Sequence, residues 1–318
     1  MRRGPIILMR NHMPPDILCL GEPMLEFNQQ PGGSYLPGHG GDTSNCAISA
    51  ARQGARVGYV THLGADTFGN SFMDLWAAEG IDTSTVKQVT DAHTGVYFVT
   101  HGPNGHEFSY MRKGSASSRM APADLPVDAL KAAKFLHVSG ISQGISAIAA
   151  DAVFSAIECV RAAGGKISYD TNLRLKLWPL QRARAVIHAA MSQCDIALPG
   201  LDDARQLTGL DSPDEIADFY LTLGCSIVAL TLGEEGTLVA TRDERRRIRG
   251  RRVEAVDATA AGDTFDGAFL ARLVAGDDPF AAARYANAAA ALSTQGFGAV
   301  APIPRAAAVE AFLNEEQS

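Results

Sequence analysis

The chain has 318 residues, 46% of them hydrophobic and 20% charged, and a net charge of −7. That composition suits a soluble globular protein and offers no general attraction for nucleic acid or an anionic membrane. No run approaches the ~20 apolar residues of a membrane span, and five scattered cysteines without a C-x-x-C pair exclude a disulfide framework and a zinc site.

Residues 1–14 open basic and hold an apolar stretch, 6–9, too short for a signal peptide. They are expected to be a disordered extension, with residues 15–318 forming one domain in the cytoplasm. A short apolar strand is predicted over 17–20, ending at Gly21. A helix over 43–53 closes at Gly54, and a strand at 57–61 follows. The helix over 68–79 places Phe72, Leu75 and Trp76 on one face, with Gly80 as its stop. Residues 94–100 and 107–112 flank a turn signal at 101–106 and read as a hairpin. Strand alternation puts Phe108, Tyr110 and Arg112 on one face of its second strand. With 24–28 and 35–36 it forms a small antiparallel sheet, a lid drawn from about 22–36 and 94–112. Buried strands are predicted at 135–138, 167–169, 196–198 and 227–232, each followed by a loop or helix start. This alternation specifies an α/β fold in which helices cover a mainly parallel sheet, with ligands expected at the carboxyl edge of the strands. The basic run 242–252 lacks interleaved aromatics and reads as a solvated hairpin rather than a nucleic-acid patch.

The most informative segment is Asp257-Ala-Thr-Ala-Ala-Gly-Asp-Thr-Phe265. Small residues lead into Asp263, where an amphipathic helix carrying Phe265, Phe269, Leu270, Leu273 and Val274 begins, and Gly276 follows as a stop. A helix start without bulky side chains leaves backbone N–H groups free at the positive end of the dipole, which is an anion site. A carboxylate there opposes simple phosphate binding. It suits a base that deprotonates a hydroxyl while the amides hold a phosphoryl group in transit; an ordinary first-turn Asp is the alternative. A second Gly-rich stretch, Gly38-His-Gly-Gly-Asp-Thr-Ser-Asn45, combines close backbone approach at Gly40 and Gly41 with acceptors and donors at Asp42 and Asn45. There is no G-x-x-x-x-G-K-[ST] loop and no G-x-G-x-x-G after a strand.

Taken together, GGDTSNCA and DATAAGDTFDGAF make the chain resemble the ribokinase-like (PfkB) carbohydrate kinases from about residue 17 to 313. The resemblance implies a Rossmann-like three-layer α/β/α sandwich with a β-sheet lid, ATP as donor and a sugar hydroxyl as acceptor. It makes Asp263 the general base, and the N–H groups of Ala260, Ala261 and Gly262 the anion hole. Most members carry Gly where this chain has Ala260. It further implies Mg²⁺ bridging the phosphates. The family's N-x-x-E is here Gly200-Leu-Asp-Asp203, leaving Asp203 as the carboxylate for the metal. Thr231, Gly233 and Gly236 match a T-x-G-x-x-G beside the nucleotide, Asn172 is a further cofactor-binding candidate, and Asn287 matches an adenine-pocket position. Asp257 and Thr259 fall where many members bind a monovalent cation, so K⁺ is a further expectation.

For the acceptor, residues 110–117 (YMRKGSAS) and 170–178 (DTNLRLKLW) resemble segments of 2-keto-3-deoxygluconate kinases, and the second is shared with fructokinases. A sugar acid's carboxylate suits planar guanidinium groups. Arg112 and Arg174 are the candidates, with Tyr97 and Tyr110 closing over the chain. A neutral-ketose kinase is the alternative within the family, and a non-catalytic sugar-binding regulator the alternative outside it. A homo-oligomer paired through the lid is also expected, since the hairpin exposes strand edges.

Overall fold

Thirteen strands occur among the residues described by this computed structural model, 14–102 and 105–315. They are β1 (Ile17–Leu20), β2 (Met24–Gln29), β3 (Tyr35–Gly40), β4 (Val57–Gly64), β5 (Val86–Val89), β6 (Gly95–Gly102) and β7 (Gly105–Met111). Then come β8 (Phe135–Ser139), β9 (Lys166–Asp170), β10 (Ile196–Leu198), β11 (Ile227–Thr231), β12 (Gly236–Thr241) and β13 (Arg245–Arg249). Nine of them form one sheet in the order β13-β12-β11-β10-β9-β8-β1-β4-β5. Its pairings are parallel from β11 through β5 and antiparallel at the β12–β13 end. Short apolar strands such as β1 and β10 are buried along their whole length, as strands covered on both faces must be.

Two apolar layers flank the sheet. On one side helices Asp42–Arg52, Ala261–Ala275 and Pro279–Ser293 contribute Cys46, Ile48, Phe265, Phe269 and Ala286. On the other, helices Ala147–Ala162, Leu180–Met191 and Pro213–Leu223 contribute Val153, Ile157, Ile187 and Tyr220. Gly267 sets the spacing of two helices in the first layer. A Cβ there would lie 2.3 Å from the Cys46 carbonyl oxygen, so only a glycine lets helix Ala261–Ala275 lie against helix Asp42–Arg52 with both N-termini at the same cleft.

The second sheet, β3-β2-β6-β7, is the expected lid, though not wholly antiparallel: β2 pairs in parallel with β6. Its strands run further than the sequence suggested. Gly38–Gly40, the start of the second Gly-rich stretch, completes β3, and the helix after it starts at Asp42 with Gly41 as N-cap and no side-chain cap. The turn residues Pro103 and Asn104, and all but the last residue of the predicted extension 1–14, lie outside the described residues. The basic run forms the β12–β13 hairpin. There Arg245 meets Asp214 (3.1 Å) and Asp218, and Arg247 meets Asp214 at 3.5 Å, so these cations are countered within the chain.

Candidate active site

A cleft of about 1790 Å³ opens along the carboxyl edge of the large sheet and beneath the lid. Glu22 follows β1, Asp170 ends β9, Gly200 follows β10 and Thr231 ends β11, and all four line the cleft. Loops collect there because every parallel strand points its carboxyl end the same way.

At the cleft's centre helix Ala261–Ala275 begins, with Ala260 as its N-cap in the left-handed region (φ 60°, ψ 16°). The Ala261 N–H donates to the Ala258 carbonyl (3.2 Å) and the Thr264 N–H to that of Ala260 (2.8 Å). The N–H groups of Ala260 and Gly262 have no backbone partner among the described residues. Of the three predicted hole donors, one is therefore engaged in the turn itself and two remain open at the dipole's positive end. Asp263 is half-buried and accepts a 2.8 Å hydrogen bond from Asn45 Nδ2. Burial and the like charge of Asp42 push its carboxyl up to about 7, against the opposing pull of the Asn45 bond and of Arg174. The Asn45 Oδ1 atom is buried without a partner among the described residues.

Three more acids surround this carboxylate. Asp42 accepts from the Thr43 N–H (2.8 Å) and from Asn172 Nδ2 (2.9 Å). Asp170 accepts from the Asn172 N–H (3.0 Å), and Asp266 lies one turn beyond Asp263. Burial first, then their neighbours' charges, push the carboxyls of Asp170 and Asp266 well above the ordinary range. Asp203 also lines the cleft, and its carboxyl is raised by burial. One of its oxygens takes the Leu173 N–H (2.8 Å), and Arg174 Nη1 lies 3.9 Å away. Asn172 holds a left-handed backbone (φ 25°) where it joins Asp170 to Asp42.

The lid supplies the roof. Tyr97 donates to Glu26 (2.5 Å), and with Phe108 and Tyr110 it faces the cleft. Gly40 sits directly under the Tyr97 hydroxyl, where a Cβ would approach to 2.7 Å, and Gly41 (φ 106°) would meet the Glu22 carbonyl at 2.6 Å. Arg112 reaches the cleft but is not free. Its Nε donates to Glu22 at 2.8 Å, and Glu22, fully buried, also accepts from Ser115 Oγ at 2.5 Å.

Not every predicted site residue lines the cleft. Asn287 does not line the cleft. Its Oδ1 accepts from Thr237 (2.7 Å), and its Nδ2 donates to the carbonyls of Ile248 (3.1 Å) and Arg249 (3.4 Å), so it ties its helix to the β12–β13 hairpin. Gly233 and Gly236 shape the turn into β12 behind Thr231, which does line the cleft. Both Asp257 oxygens are engaged, Oδ1 by Thr259 (N–H 2.9 Å, Oγ1 2.6 Å) and Oδ2 by the Gly298 N–H (2.9 Å). Those side chains turn toward one another, and both residues line the cleft. Glu22, Asp170, Asp266 and Lys176 also line the cleft and were not named as candidates from the sequence. Glu22 and Asp170 stand at strand carboxyl ends, a signal available in the sequence; Asp266 shows only as the i+3 position from Asp263 on a helix face.

Known proteins are similar along nearly the whole chain. A Bacillus subtilis (strain 168) protein named 2-dehydro-3-deoxygluconokinase is 32% identical over 95% of this chain and 97% of its own length. Fructokinase-1 of Oryza sativa subsp. japonica is 32% identical over 91% and 94%. Among solved structures, a PfkB protein from Polaromonas sp. JS666 superposes with a TM-score of 0.86 at 32% identity, covering 93% of this chain and 99% of that one. A Vibrio cholerae O395 fructokinase holding fructose, ADP and calcium gives 0.84 at 28%, over 93% and 98%. A Xylella fastidiosa fructokinase with bound ATP gives 0.87 at 25%, over 95% and 99%. The profile of the pfkB family carbohydrate kinases matches residues 17–306, and the chain, with its ribokinase-like sheet, lid and cleft, belongs to that family of ATP-dependent sugar kinases.

Proposed function

We propose that this kinase phosphorylates a hydroxyl of a sugar acid, 2-keto-3-deoxygluconate foremost, with Asp263 as general base. The observation that carries the reading is the Asp263 carboxyl, held by Asn45 at a helix start with open amides and poised near neutral pH. In the transfer, the acceptor oxygen forms a bond to the terminal phosphorus of ATP as the bond to ADP breaks. Asp263 takes the hydroxyl proton. The Ala260 and Gly262 N–H groups face the phosphoryl oxygens as charge redistributes. Tyr97 and Tyr110 close over the acceptor, whose hydroxyls meet Gly41, Asp42 and Asn45.

Mg²⁺ needs one or two carboxylates and completes its shell with phosphate and water. Asp170 and Asp203 fit that demand, each lining the cleft with one oxygen bound to a backbone N–H. Bound there, the ion would neutralise charge on the phosphates. Among the described residues no cluster of three potential ligands forms a site made wholly of protein, in keeping with an ion brought by its nucleotide.

A neutral ketose is the second reading, favoured by the Glu22–Arg112 ion pair, in which the buried carboxylate balances that arginine's charge. ADP release measured with 2-keto-3-deoxygluconate, fructose and ribose decides between them. The expected result is highest kcat/KM for the sugar acid; preference for fructose overturns it. Asp263→Asn should lower kcat by ~10²–10⁴-fold while leaving sugar affinity within a few fold. A variant retaining most activity would remove the base assignment.

A further inference from the structure

Three Lys or Arg side chains line the cleft among the described residues, Arg112, Arg174 and Lys176, and their charges are not equally available. Arg112 is paired with the buried Glu22. Arg174 donates to the Leu173 carbonyl (2.9 Å), stands 3.9 Å from Asp203, and exerts its field on Asp263. Lys176 has no carboxylate within ion-pair distance among the described residues. Its Nζ lies 3.4 Å from the Phe108 carbonyl of the lid and 5.9 Å from the centroid of the Tyr110 ring, which Arg112 approaches at 5.5 Å. Two cations thus converge on one cleft-facing ring from different elements, and only the lysine brings uncompensated charge. An ammonium on a flexible stem can leave a backbone carbonyl for a stronger anionic partner without breaking a buried pair.

We infer that Lys176 is the specificity residue that receives the acceptor's carboxylate, with Arg112, its charge balanced by Glu22, orienting it. This rests on the sugar-acid reading and deepens it. Without an anion, Lys176 joins the loop after β9 to the lid through the Phe108 carbonyl.

The test compares wild type, Lys176→Met and Lys176→Arg. KM and kcat are measured with 2-keto-3-deoxygluconate and with fructose, and the sugar acid is also titrated calorimetrically without nucleotide. Lys176→Met keeps the apolar stem and should weaken sugar-acid binding on the order of tenfold, the scale of one charge-assisted hydrogen bond. The loss should appear in KM and in the calorimetric affinity, with kcat little changed and the preference for sugar acid over fructose reduced accordingly. Lys176→Arg should restore most of it. Sugar-acid affinity within twofold of wild type in Lys176→Met overturns the inference. So does an equal loss for both acceptors, which would make Lys176 a lid strap without charge recognition. If wild type itself neither binds nor phosphorylates the sugar acid, the broader reading fails and takes this assignment with it, an outcome distinct from a functional wild type with an indifferent variant.

Discussion

At the residue scale, the base role proposed for Asp263 sets two opposing demands. A base must be ionised to accept a proton, yet a base that holds its charge too comfortably accepts none. Burial and Asp42 raise its carboxyl, while Asn45 and Arg174 restrain the rise, and the balance stands at about 7. In the proposed role the working form is the carboxylate, which dominates above that value and disappears below it. kcat/KM should therefore climb as pH increases through about 7 and level off beyond. A profile already flat from pH 5 upward would place the controlling ionisation elsewhere. The same logic separates Asp263 from Asp266, a single helical turn away. Among the described residues, only the first has a side chain donating a hydrogen bond to it.

At the element scale, two helix starts are brought face to face by residues without bulk. Gly267 admits the Asp42–Arg52 helix against the site helix, and Gly41 turns the chain from the lid into that helix. Gly41 adopts a φ of 106° and has the Glu22 carbonyl 2.6 Å, and the Pro23 Cα 2.8 Å, from where a Cβ would stand. Gly41→Ala combines strain with a clash against backbone, so a loss of about 1–3 kcal/mol is expected, read as a lowered Tm together with weakened acceptor binding. Unchanged stability would mean that the β3-to-helix junction relaxes freely. Ala260 shows the limit of this rule. Its Cβ makes the left-handed conformation cost about 1–2 kcal/mol, and its N–H stays at the helix start.

For the whole molecule, the site concentrates negative charge that the fold must tolerate. Asp170, Asp263 and Asp266 all bind protons more tightly in the native chain than ordinary carboxylates do. Their contribution to stability is full below the usual carboxylate range and is lost as pH rises through the native values. Asp16, Asp66 and Glu79 act oppositely. Arg56 holds Asp16 down and Arg52 holds Glu79 down, while hydrogen bonds from Thr94 and Gly69 lower Asp66 against its burial. Their stabilisation is present above the usual range and fades as pH falls. Asp266→Asn removes one member of the first group. Without nucleotide or metal, its Tm should exceed that of wild type by a margin that widens from pH 5 to pH 8 in a calorimetric scan. A margin that is constant or shrinks with pH would contradict the burial argument.

What was legible in the residues themselves was local and periodic. Apolar runs bounded by glycine specified the parallel strands, helical spacing specified the helix after Asp263, and the two glycine-rich segments marked both walls of the cleft. Each depends on neighbours within one turn or one strand, which a linear chain displays directly. What tertiary structure alone decided was partnership across long separations. Arg112 looked like a free anchor until Glu22, 90 residues earlier, closed on it. Asn287 looked like a pocket residue until the β12–β13 hairpin took its amide. Lys176 carried no signal of its own until the lid folded over it. Charge and hydrogen bonding act through space, so a side chain's availability is settled only when the fold has chosen its neighbours.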